Sequence, residues 1–473
     1  METERREHDE LLAVNRRTLA ANGTAAASRS QDPPDGGFKA ITVLIASFLT
    51  NGLVFGVINS YSIIYTVLLD RLKNGKVDNA EIKASLVGVL TIGTTFALSP
   101  LSGVLTGFLG LRMTAVLGGA IATTGLLLSS FVVDYVDALC FTYGILYGLG
   151  ASLAYTPSLA ILGQYFKKYL SIVNGIVTIG SSAFTVFMPL LMEWMIENYS
   201  LEWMFRLLAL FAVCISLCGL MFKPVPVVVI EKPTKTDNTI KSWLKAMGCS
   251  HIWQCKKYRL WTFSMPIALF GYFVPYVHIK KFIEDLNFED VNRNLPLQCI
   301  AITSAIGRLT FGFLGDRIDR ILLQQISFYV IGIFTIILPF VRSFGLIVAI
   351  ALGMGLFEGG FIALIGPIAF ELVGSTYAAQ AIGCMLGMAA LPLSIGPPVA
   401  GALYSLYKDY TVPFIVAGIS PIVGATFMFL IRFSSNRVQE PRANGHAISM
   451  NQTDVEKTSA SSPLTRNGQA NQQ

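Results

Sequence analysis

The sequence predicts an all-α, polytopic membrane protein with twelve transmembrane helices in two six-helix halves. Three observations carry that expectation: apolar runs of bilayer length, a basic interval after the sixth run, and a loop motif recurring at the same place in each half.

Of 473 residues, 53% are hydrophobic and 14% are charged, and the mean hydropathy is +0.59. Soluble domains carry roughly 25% charged residues, whereas a spanning helix needs about 20 apolar residues in succession. Hydropathy windows place spans at roughly 39–69, 84–109, 113–133, 138–163, 171–192 and 203–222, then at roughly 259–279, 296–315, 321–341, 345–370, 376–406 and 411–431. The expected organisation is a disordered cytoplasmic N-tail (1–37), an N-terminal half (38–222), a cytoplasmic central loop (223–258), a C-terminal half (259–432) and a disordered C-tail (433–473). The polar, arginine-bearing first 37 residues do not read as a cleavable signal peptide.

Orientation follows from the basic residues of short loops. The N-tail, Arg112, Lys167, Lys168, the central loop, Arg317, Arg320 and Arg432 fall on one side of a twelve-span path. That side is expected to be cytoplasmic. Opposite loops carry Asp134, Asp137, Glu193, Glu197, Glu202, Glu284, Asp285 and Glu289, with Arg71, Lys73, Lys76 and Lys83 running against the trend. Asn198 opens a glycosylation sequon on that outer side.

Several function classes drop out. There is no nucleophile elbow, phosphate loop or metal-spaced cluster, so no enzyme and no ATP-driven pump is read. Cys249, His251 and Cys255 lack a fourth ligand, so no metal is assigned, and no cofactor is expected. The net charge of +6 shows no basic stripe interleaved with aromatics, which argues against a nucleic-acid partner. The remaining partners are the lipid bilayer and a small solute.

Ionisable side chains deep in spans are costly and are functional candidates by default. Arg308 lies mid-way along the eighth span and Glu358 along the tenth. At similar depth they would neutralise each other and leave guanidinium donors for a carboxylate. His278, near the outer end of the seventh span, is a substrate-contact candidate whose alternative is an interfacial residue. Asn59, Tyr61 and Ser304 are further candidates, and Tyr61, Tyr65, Tyr143, Tyr147 and Tyr155 recur at spacing suited either to an aromatic cavity or to packing. Glycines and prolines crowd the fifth, tenth and eleventh spans, where close approach and kinks are expected.

The segments Gly103 to Arg112 and Gly312 to Arg320 are the recurring motif. The second resembles the loop of the major facilitator superfamily, in which an acid and nearby arginines latch neighbouring helices; Gly312, Asp316 and Arg317 are the residues so implied. The first copy has Gly107 where the acid would stand.

Asp35, Gly36, Gly37 and Phe38 opening the first span resemble the first signature of the monocarboxylate transporter family, solute carrier family 16 type. Tyr165, Phe166, Lys167 and the following residues to Asn174 and Gly175 resemble its second signature. The similarity runs over 34–432. Phe273 to His278, Gly307-Arg308-Leu309, Gly355 to Gly359 and Pro367 to Gly374 resemble the branch that carries aromatic amino acids and thyroid hormones. That resemblance implies a plasma-membrane carrier of a carboxylate-bearing solute working by alternating access without proton coupling, with Arg308 and Glu358 as the transport pair and His278 in contact with substrate. A proton-linked monocarboxylate symporter and a non-transporting receptor or scaffold are the alternatives, and an accessory single-span membrane protein is a candidate partner. Three departures stand out: Glu358 replaces an Asp, Ser304 stands where lactate carriers have an Asp, and Ile58 stands where they have a first-span Lys and the aromatic branch a His.

Overall fold

The computed structural model describes residues 35–75, 80–223, 249–288 and 291–434. Most of the expected central loop and both expected tails lie outside these residues. So do Lys76 and Glu289, and the side chain of Cys249.

All regular structure among the described residues is helical. Ten helices are long and apolar enough to cross a membrane, and a shorter apolar helix covers Ile82–Ala97. Two of the ten are composite. Phe344–Tyr407 has 64 residues, which at 1.5 Å per residue is about 96 Å, roughly three hydrocarbon thicknesses. Its backbone leaves the helical region at Gly374 (φ 77°), and Ser99–Ser129 does the same at Gly110 (φ 81°). Positive φ is accessible to glycine without a Cβ penalty, so each break is a tight turn between antiparallel spans.

Divided there, the described residues form twelve spans: α1 (Phe38–Asn74), α2 (80–109), α3 (111–129), α4 (Val136–Tyr165), α5 (Leu170–Asn198), α6 (Leu201–Met221), α7 (Lys256–Asp285), α8 (Leu295–Gly315), α9 (Arg320–Phe340), α10 (344–373), α11 (375–407) and α12 (Thr411–Phe433). Helix α7 starts at Lys256 rather than near 259, and a short helix, Cys249–Ile252, precedes it inside the expected loop. His251 of that helix stacks on Tyr377, ring centroids 4.6 Å apart, and the Cys255 thiol donates to the Leu372 carbonyl. Both therefore rest against the α10–α11 turn. Among the described residues no group of three metal-ligating side chains converges.

The signatures explain how the bundle is tied at the end where α1 begins. The Asp35 carboxylate accepts the backbone N–H of Lys167 at 2.6 Å and of Lys168 at 2.9 Å, while Asp35 N–H donates to the Tyr165 carbonyl. One side chain so joins the start of α1 to the α4–α5 turn. At the same end the Asp316 carboxylate accepts the N–H groups of Ser171 (2.8 Å) and Ile172 (3.0 Å), the orphan donors of the first turn of α5. Gly312 packs there too, a Cβ on it falling 2.9 Å from the Ser171 carbonyl.

The arginine completing this latch is Arg320, not Arg317. Arg320 donates to the Ser171 hydroxyl and the Gly315 carbonyl and pairs with Asp316 (3.6 Å) and Glu371 (3.3 Å). Arg317 is exposed and lies over the Phe313 ring. In the other copy of the motif, Gly107 faces the flexible end of Gln380 on α11, whose buried Oε1 has no partner.

At the opposite end the ion pairs of Arg71, Lys281 and Arg293 lie within single halves. Arg71 is 3.0 Å from both Asp134 and Glu202, so this basic residue, which ran against the charge asymmetry, is neutralised locally. Lys281 pairs with Asp285 and Arg293 with Glu284.

Candidate substrate site

A cavity of about 190 Å³ lies between the halves. Its apolar wall includes Phe55, Phe96, Phe273, Phe361 and Leu386, and its polar face Asn51, Asn59, Tyr155, Thr178, Ser181, Tyr272, Arg308 and Glu358. This is the composition expected of a small-molecule site, mostly apolar with a few convergent polar groups.

Arg308 is brought to the cavity by close backbone packing. A Cβ on Gly359 of α10 would lie 2.7 Å from the Arg308 nitrogen, and one on Gly175 of α5 would lie 2.3 Å from its carbonyl oxygen. The side chain is 6% exposed. Its Nη1 donates to the Thr178 carbonyl and, at 2.5 Å, to the Ser181 hydroxyl, both on α5 of the other half. Its Nε is buried with no partner. Glu358 accepts a 2.9 Å hydrogen bond from the Tyr272 hydroxyl of α7.

Arg308 and Glu358 thus line one cavity, but they do not form the direct pair expected from their depth. Among the described residues no ion pair within 4.0 Å joins them, and each charge is held by a different helix. Asn59 also lines the cavity, and its amide donates to Thr185 at 2.9 Å.

Three of the expected contact residues fall elsewhere. The His278 ring sits between the Pro397 carbonyl (3.0 Å) and the Tyr410 hydroxyl (3.4 Å), bracing α7 against α11 and the start of α12. Tyr61 donates to the Ala84 carbonyl at 2.5 Å and stacks on Tyr143, so it packs α1 on α2 and α4. Ser304 is buried under the α8–α10 crossing at Gly359, its hydroxyl beside the Glu358 carboxylate and outside the cavity lining. Of the tyrosine series, Tyr155 alone lines the cavity; Tyr143 and Tyr147 are buried in the N-terminal half and donate to carbonyls of α1. Ile58 is likewise core of that half, 6% exposed.

Sequence reasoning passed over Asn51, Tyr272, Thr178 and the role of Ser181. A signal existed. Ser171, Asn174, Thr178, Ser181 and Thr185 recur at steps of three and four along α5, which places them on one helix face. Asn174 donates to the Ala363 carbonyl of α10 at 2.7 Å. That polar stripe bonds to the C-terminal half from Ser171 up to Ser181.

The Major Facilitator Superfamily family model matches residues 40–338 and 297–465. Monocarboxylate transporter 10 of Danio rerio is 41% identical over 420 residues, covering 87% of this chain and 82% of that protein. The chain belongs to the monocarboxylate transporter family of the major facilitator superfamily. Monocarboxylate transporter 10 of Homo sapiens is 37% identical over 430 residues, covering 89% of this chain and 83% of the relative. The crystal structure of the human organic anion transporter MFSD10 superposes with a TM-score of 0.66 at 13% identity, over 82% of this chain and 99% of that one. The chain is a multi-pass membrane transporter.

Proposed function

We propose that this transporter carries a carboxylate-bearing organic solute, best an aromatic amino acid, by facilitated diffusion through alternating access. The observation that carries the reading is the separation of Arg308 and Glu358 within one cavity. Two opposite charges held by different helices offer a guanidinium for a carboxylate and a carboxylate for an ammonium. The rings of Phe55, Phe96, Phe273 and Phe361 offer the flat apolar surface that an aromatic side chain stacks against. The relatives at 41% and 37% identity are named monocarboxylate transporters, which supports a carboxylate-bearing solute. A plasma-membrane location belongs to this reading, and cytoplasmic placement of both termini agrees with the basic-loop asymmetry. Terminal tags reachable by antibody only after permeabilisation would check that orientation.

The test is an uptake screen in transporter-poor cells with phenylalanine, tyrosine, iodothyronines, lactate and pyruvate. Uptake of the aromatic amino acids above lactate and pyruvate is expected; the reverse order would overturn the substrate assignment.

A further inference from the structure

The cross-half hydrogen bonds among the described residues form a seam along one face of α5. Its lower rungs are Ser171 and Ile172 on Asp316 and Asn174 on Ala363; its uppermost rung is Arg308 on Thr178 and Ser181. The uppermost rung alone reaches the cavity, since Thr178, Ser181 and Arg308 all line it.

A carboxylate binds a guanidinium best with both oxygens, across an edge made of two N–H groups. Each edge of the Arg308 fork that includes Nη2 is compromised here. On one, Nη1 is committed to α5; on the other, Nε is buried. A bidentate carboxylate therefore requires the guanidinium to turn, and turning takes Nη1 away from α5. We propose that Ser181 is a positioning residue that holds Arg308 across the halves, and that the substrate carboxylate displaces it, releasing the uppermost rung of the seam. The loaded carrier then has one fewer cross-half link than the empty one and reorients faster. This rests on the reading of Arg308 as the carboxylate receptor.

The experiment uses reconstituted full-length protein and radiolabelled L-phenylalanine. It compares net flux into empty vesicles with exchange into phenylalanine-loaded vesicles for wild type, Ser181→Ala and Ser181→Thr. Wild type is expected to exchange faster than it transports net. Ser181→Ala, which leaves Arg308 only the Thr178 carbonyl, should narrow the gap between the two rates and lower KM about fivefold, the equivalent of one ordinary hydrogen bond no longer competing. Ser181→Thr, which keeps the hydroxyl, should restore the difference. A purely structural Ser181 would lower both rates and leave their ratio unchanged, and that result overturns the inference alone. Absence of phenylalanine flux in wild type overturns the substrate reading and the inference with it.

Discussion

Asp35 and Lys167, 132 positions apart in the chain, meet at 2.6 Å, the carboxylate of the first accepting the backbone N–H of the second. The two signature segments are thus two sides of one junction. Their residue types follow from it: an acceptor at 35, a positive φ of 92° at Gly37, and the backbone N–H groups of Lys167 and Lys168 that donate to that acceptor ahead of α5.

Asp35→Ala is expected to destabilise the protein by about 1.5–3 kcal/mol, the usual contribution of hydrogen bonds to a charged acceptor. Asp35→Asn keeps an oxygen in place and should cost less. Thermal unfolding in detergent measures both, and an unchanged midpoint for the alanine variant would refute the junction.

Gly175→Ala should be severe, because the added methyl would fall 2.3 Å from the Arg308 carbonyl, a backbone atom with no room to yield. Overpacking of this kind costs about 1–3 kcal/mol, and here it would spread α5 from α8 and misplace Arg308. Gly107→Ala is the control, since its Cβ meets only the end of the Gln380 side chain at 3.0 Å. Uptake normalised to surface expression should fall for the first and hold for the second. Equal uptake by the two variants would show that the α5–α8 contact does not govern the site.

Much of this architecture is legible in the sequence, and the misses share a cause. Hydropathy locates all twelve spans because each must be apolar over bilayer length, whichever way it is rotated. Arg308 and Glu358 stand out because charge at that depth is rare. Rotation about each helix axis is what hydropathy leaves open. Tyr61 and Tyr272 are chemically alike, yet Tyr272 reaches Glu358 and Tyr61 reaches a backbone carbonyl of α2. Arg317 and Arg320 share a loop, and the direction in which α9 starts decides which of them turns back to Ser171. His278 occupies the end of α7, where a neighbouring carbonyl claims its ring. The α5 stripe is legible at steps of three and four, but hydroxyl-bearing residues often bond their own helix, as Thr178 does to Gly175, so the stripe does not announce its partner.

Transport is expected to run without a proton gradient. Ile58 and Ser304 cannot titrate, and Glu358 is held by Tyr272 rather than left open. Acidifying the outside of vesicles by one unit supplies about 1.4 kcal/mol of drive. The initial rate of phenylalanine entry should change little, with no accumulation above equilibrium. Concentrative uptake that collapses with a protonophore would make the carrier a proton-linked symporter and Glu358 its coupling residue.

In the proposed function Arg308 reads the carboxylate of the solute from within the cavity. Competition against radiolabelled phenylalanine uptake by unlabelled phenylalanine and by phenylalaninamide, in wild type and in surface-matched Arg308→Ala, tests it directly. The amide keeps the ring and the ammonium and lacks only the negative charge. Strong competition by the acid, weak competition by the amide, and loss of uptake in Arg308→Ala are expected, because removing the guanidinium leaves the carboxylate of the solute without its charged partner. Equal competition by acid and amide, or normal uptake by Arg308→Ala at the cell surface, would contradict it.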